Sequence, residues 1–188
     1  MDAETSAVIQ GVAEEVASGK HDEHFPLSIF QTGSGTSTNM NMNEVMSSLA
    51  TAKKGSKVHP NDHINMSQSS NDVIPTALNM SAALACAKDL LPAMEHLAST
   101  IDAKGEELKD QVKTGRTHLM DAMPITMQQE LSAWSTQVRK GADRVRSALE
   151  RVRQLAIGGT AVGTGINADP RFGPEVCRVL SERMGVES

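Results

Sequence analysis

Between Leu131 and Leu155 apolar residues return every three or four positions: Leu131, Trp134, Val138, Ala142, Val145, Leu149, Val152 and Leu155. This period persists for about seven turns and predicts one long amphipathic helix. A stripe that long must be covered along its whole length, which points to a helical bundle rather than to a helix laid on a sheet. The amino-acid composition agrees. With 2% aromatics and eleven Met, a core must be built from aliphatic and thioether side chains, which suits helices packing on helices. Arg139, Lys140, Arg144, Arg146, Arg151 and Arg153 lie largely off the stripe and read as a solvated surface.

Other segments carry the same helical period. Val8, Val12 and Val16 mark one narrow face of a short helix over 7–18, with Gly19 at its stop. Asn43-Glu44-Val45 opens a helix through Met46, Leu49 and Ala50. From Val73 the positions Ile74, Ala77, Leu78, Ala82 and Ala85 line a face, with Pro75 in the first turn, where its missing N–H costs little. Pro92 breaks or kinks that pattern. Met94, Leu97, Ile101, Leu108 and Val112 then follow in near-heptad spacing. A last short helix reads PEVCRVLSERM. No strand pattern of any strength appears.

Four polar inserts interrupt these helices. The densest runs from Lys57 to Pro75, KVHPNDHINMSQSSNDVIP, with neither helical nor strand periodicity. It ends where an apolar helix begins, so Ser70, Asn71 or Asp72 is a natural N-cap. Such a stretch is either a capped surface loop or an anion site built from capping side chains and free helix-start amides. The second insert, QTGSGTSTNMNMNEV, places Gly33 and Gly35 around Ser34. Glycines let backbone approach a ligand and the hydroxyls can bond it. It lacks the ending of a phosphate-binding P-loop. KTGRTHLMDAMP and IGGTAVGTGINADP are the other two.

Several classes are excluded or disfavoured. A net charge of −5 with no basic cluster, and few aromatics for stacking, argue against a nucleic-acid partner. No apolar run approaches the roughly 18 residues of a membrane span. The opening MDAETSAVIQ lacks the features of a signal peptide. Cys86 and Cys177 form no CxxC pair, so the expectation is a reducing, cytoplasmic setting with buried or inert thiols. His59 and His63 have the spacing of two helical zinc ligands, but Pro60 disfavours a helix there and no third ligand is evident.

Taken in order, GSGTSTNMNMNEV, HPNDHINMSQSSND, GRTHLMDAMP and GGTAVGTGIN resemble the four corresponding strings of the class II fumarase and aspartase superfamily. The resemblance runs from about Val8 to about Val186. Thr117-His118-Leu119 and Gly158-Gly159-Thr160-Ala161 look more like fumarase than aspartase; Met66-Ser67-Gln68 is shared with aspartases. The resemblance implies a mainly α, fumarase/aspartase-like fold. Residues 1–70 would form part of the N-terminal lyase-type domain, and 71–188 part of the central helical bundle. The family's GSSxMPxKxN loop, which carries its catalytic base serine and a substrate-binding lysine, does not occur in these 188 residues.

The implied activity is reversible hydration of fumarate to (S)-malate; the alternatives are aspartate ammonia-lyase or a noncatalytic helical oligomerisation module. Charge builds on a substrate carboxylate during such a reaction, and preorganised neutral donors suit it. By resemblance Ser34, Thr36, Ser69, Ser70, Asn71 and Thr117 bind the dicarboxylate. His118 polarises the reacting water as the acid/base partner. His59, Asn61 and Asp62 match a second, peripheral dicarboxylate site. The resemblance implies no cofactor and no metal. It also implies a homotetramer with shared active sites, in which the GSGT, SSN and TH motifs come from different subunits.

Overall fold

The structure is a computed structural model and describes residues 1–31 and 33–185. It is mainly α-helical. Contacts divide the chain into two compact units: Met1–Asn79 with the residues from Leu155 on, and Met80–Gln154.

The first unit opens with α1 (Ala3–Ala17). Its start lies ahead of the apolar pattern because Asp2 caps it, accepting from the Thr5 amide (2.7 Å) and the Thr5 hydroxyl (2.8 Å). Gly19 ends it with φ +80. A 3-10 turn (Asp22–His24) leads towards α2 (Thr36–Lys54). Val12, Val16, Val45, Ala50 and Val58 form the buried core between α1 and α2, with Val8, Ile9, Phe25, Met46, Leu49 and Ile64 against it. After a π-helical turn (Pro60–Ile64), α3 spans Ser70–Ala85. Later, α6 (Phe172–Met184) belongs to the same unit.

Two expectations are corrected here. α2 begins at Thr36, seven residues before the expected Asn43. Its first turns bury polar residues, Asn39 and Asn43, so a search for apolar period misses them. Pro75 sits in the second turn of α3, not the first.

The second unit contains the end of α3, a π-helical turn (Cys86–Leu90), α4 (Leu91–Glu107) and α5 (Met127–Val152). Pro92 neither ends nor breaks the helical path. It sits in the first turn of α4, and the Leu91 amide bonds back to Cys86 across the π turn. α4 and α5 pack through small residues. Ala98 and Gly105 on α4 are buried, as are Ala142 and Leu131 on α5. A Cβ on Gly105 would meet Leu131 at 3.6 Å. Arg139 therefore is not a purely solvated residue: it reaches Asp102 at 2.6 Å. Bonds from Ser135 first, and then from Arg139, hold the Asp102 carboxyl below its usual range.

The heptad reading of α4 is corrected too. The helix stops at Glu107, and Val112 begins a strand. The expected absence of strands is likewise wrong. β1 (Val112–Thr117) and β2 (Met120–Thr126) form an antiparallel hairpin between α4 and α5. Its side chains are mostly exposed, so no hydrophobic alternation marks it. Cys86 and Cys177 form no disulfide and are half-buried rather than fully buried.

Candidate active site

Three of the four polar inserts meet at the start of α3. The cap is Ser69, one residue before the expected candidates. Its Oγ accepts from the Asn71 amide (3.2 Å), and its own amide donates to Asp72 Oδ1 (2.9 Å). This is a reciprocal capping arrangement with Asp at the third helical position.

Asp72 does more than cap. Its side chain is buried, 1% exposed. Its other oxygen, Oδ2, accepts from the amides of Gly158 (3.1 Å) and Thr160 (2.8 Å). One carboxylate thus ties the SSND stretch to the glycine-rich loop almost ninety residues later. Beside it, Asn71 Nδ2 donates to the Ala161 carbonyl at 2.8 Å. Gly158 must be glycine: its φ is +92, and a Cβ there would lie 3.0 Å from the Gly173 backbone. Farther along that loop Asp169 is lowered to about 2, chiefly by hydrogen bonding from the Arg171 side chain.

The GSGT insert joins the same place. Gly35 caps α2 with φ +74, and a Cβ on it would be 2.7 Å from Ile74 of α3. Ser34 Oγ and Thr36 Oγ1 are 3.2 Å apart and exposed. Buried Asn39 donates from Nδ2 to Ser70 Oγ (3.0 Å) and to Asn65 Oδ1 (3.4 Å). GSGT and SSN therefore lie side by side in one chain, contrary to the expectation that they come from different subunits.

This wiring fixes hydroxyl polarity. Ser69 Oγ accepts from Asn71, and Ser70 Oγ accepts from Asn39. Each hydroxyl proton is then available to donate outward. Half-buried Ser69 and Ser70, exposed Asn71, and the first amides of α2 make an array of neutral donors suited to a carboxylate.

Thr117 and His118 are in the second unit, at the tip of the β1–β2 hairpin. Thr117 pairs with Met120, leaving His118 and Leu119 as the two turn residues, with φ 50 and φ 60. Two positive φ values match the twist of a tight hairpin, where Asn-Gly would be usual. Both residues are exposed, and Leu119 is 99% accessible.

His59 caps the π-helical turn. Its Nδ1 accepts from the amides of Asn61 and Asp62, both at 3.2 Å. The same nitrogen lies 3.3 Å from Asp62 Oδ2. It cannot donate to that carboxylate while accepting from the amides, so the two arrangements exclude one another. His63 Nδ1 accepts from the His59 amide at 2.8 Å. Pro60 opens this turn rather than preventing it, but these backbone bonds occupy Nδ1 of both rings. Sequence reasoning missed Asp72, Asn39 and Thr160 as site builders. The only signal was an acidic residue three positions after a serine.

A mainly helical chain with this donor array at a helix start has the architecture of a helical-bundle lyase. The chain belongs to the family described as Lyase, whose model matches residues 1–187. It is 52% identical over 178 residues to a class II fumarate hydratase of Xylella fastidiosa, covering 95% of this chain and 38% of that protein. It is 51% identical over 183 residues to a class II fumarate hydratase of Mycobacterium tuberculosis, covering 97% and 38%. The crystal structure of recombinant class II fumarase from Schistosoma mansoni matches with a TM-score of 0.93 and 44% identity, over 98% of this chain and 40% of that one. The chain spans about two fifths of the length of these relatives.

Proposed function

We propose that this chain is the N-terminal and central part of a class II fumarate hydratase, acting in the tricarboxylic acid cycle on fumarate and (S)-malate. The observation that carries this reading is the neutral donor array where three polar inserts converge on α3. The names of the close relatives support it. One substrate carboxylate docks on Ser69, Ser70 and Asn71, with Ser34 and Thr36 beside them. Hydroxyls and amides stabilise the charge that develops as a proton leaves the neighbouring carbon, without the tight ion pair a cation would make.

Thr117 and His118 of another subunit complete the site. His118 polarises the water on one face of the double bond, and the base works on the other face. The GSSxMPxKxN string that would supply that base is not among these 188 residues. The active site is shared among subunits of a homotetramer in the cytoplasm. His59, Asn61 and Asp62 hold a second dicarboxylate. The domain division falls at 70/71, and no cofactor takes part.

The test follows fumarate absorbance with malate as substrate. The chain alone should be silent, and co-expression with a segment carrying GSSxMPxKxN should give activity. Aspartate turnover above malate turnover would favour the ammonia-lyase alternative instead. Appreciable activity from the chain alone would show that the base lies within it.

A further inference from the structure

The connector between α1 and α2 holds a group of side chains that the hydration chemistry does not use. In a 3-10 turn, residues three apart eclipse one another. The turn at Asp22–His24 accordingly stacks the rings of His21 and His24, with centroids 6.0 Å apart and planes 15° from parallel. Glu23 Oε1 lies 3.7 Å from His24 Nε2. One ligand atom from each of His21, Glu23 and His24 falls within 4.8 Å of the other two.

The turn is held from several sides. The His24 amide bonds to the His21 carbonyl (3.0 Å) and the Phe25 amide to Asp22 (3.1 Å). Asn41 Nδ2, on α2, donates to the His24 carbonyl at 3.1 Å. Glu15 Oε2 lies 3.4 Å from His21 Nε2. An imidazole whose second nitrogen meets a carboxylate is oriented as metal-bound histidines usually are.

A cavity of about 500 Å³ adjoins the turn. Its polar lining includes Glu23, His24, Asn41 and Glu44, and among the described residues no Lys or Arg lines it. Asn41 Oδ1 is buried without a hydrogen-bond partner among the described residues. The amide cannot turn to relieve this, because Nδ2 is committed to the His24 carbonyl.

We propose that His21, Glu23 and His24 bind one divalent transition-metal ion of the zinc or cobalt type. Two imidazoles and one carboxylate suit such ions better than magnesium or calcium, which prefer oxygen-rich shells. The open coordination positions take water. Glu44, which lines the cavity, is the acceptor available to that water. The ion clips the α1–α2 connector to α2.

The test is calorimetric titration of zinc chloride into the tag-free, chelator-treated chain. One ion should bind per chain with micromolar affinity. His24→Asn and Glu23→Gln should each weaken binding about tenfold or more, while His59→Asn and His63→Asn leave it unchanged. With the unmodified chain, cobalt should broaden amide resonances of residues 21–25 first, which needs no variant to fold. No binding at millimolar zinc, binding that survives His24→Asn, or broadening centred elsewhere would overturn the proposal.

Discussion

Replacing Asp72 tests whether one carboxylate holds the donor array together. Asp72 accepts three backbone amides: Ser69 at 2.9 Å, Gly158 at 3.1 Å and Thr160 at 2.8 Å. In Asp72→Asn one oxygen becomes an NH2. If the NH2 replaced Oδ2 it would oppose two amides; if it replaced Oδ1, only Ser69. The second orientation wins, so one charge-assisted bond is lost and the other two lose their charge. Bonds to charged groups contribute about 1.5–3 kcal/mol each. The Asn variant should therefore lose about 2–3 kcal/mol, and Asp72→Ala, which leaves all three amides without an acceptor, about 4.5 kcal/mol or more. In urea the first of these corresponds to a midpoint lowered by about 1–2 M at unchanged slope. Amide exchange at Gly158 and Thr160 should accelerate in both variants. An Asn variant within about 0.5 kcal/mol of the parent, or unchanged exchange at those amides, would refute the role.

Asp2 is lowered from 3.8 to about 2, chiefly by the Thr5 amide bond. Its contribution to stability is full above pH 3.8 and is lost as pH falls through about 2, so Asp2→Asn should flatten thermal stability between those values in a circular-dichroism series. Leu119→Gly should stabilise the chain by about 1 kcal/mol, read from urea midpoints, because glycine accepts the φ of 60 that leucine tolerates poorly. Leu97 and Trp134 are 50% and 51% exposed; the chain should self-associate through such faces, and replacing both with Lys should shift light scattering towards monomer. In a full-length chain with the proposed activity, His118→Asn should lower turnover about 10²–10⁴-fold with a smaller effect on substrate binding, whereas His59→Asn should do far less.

The helices were legible where apolar residues carried the period. α5 follows the stripe from Leu131 to Val152, and α1 follows Val8, Val12 and Val16. Legibility failed where a buried face is polar or small. Asn39 and Asn43 lie on the inner side of α2, so an apolar period begins only at its first aliphatic run. On α4 the heptad residue Leu97 is exposed, while Ala98 and Gly105 make the contact with α5. Apolar spacing cannot tell a face buried within the chain from one left outside. The hairpin went unseen for a related reason. It is a two-stranded ribbon with little burial, and its turn is His-Leu rather than Asn-Gly. Among site builders, Asp72 looked like an ordinary cap. Its partners Gly158 and Thr160 are too distant in sequence for any local pattern to link them.

Backbone strain connects these loops to the candidate chemistry. The non-glycine residues with positive φ among the described residues are Ser67, His118, Leu119, Thr160 and Asn167. Every one falls in a polar insert and none in a helix. The GSGT insert reaches similar angles with Gly33 and Gly35 instead. A β-branched residue such as Thr160, at φ 58, is unfavourable there by about 1–3 kcal/mol. Such conformations persist only where neighbours over-determine them. For Thr160 the neighbour is the buried carboxylate of Asp72; for His118 and Leu119 it is the Thr117–Met120 pair and the ladder behind it. A chain selected only for stability would place glycine at 119 and 160. Retaining side chains there makes sense where the loops must hold particular groups in place, and the groups they hold are those proposed to bind a dicarboxylate.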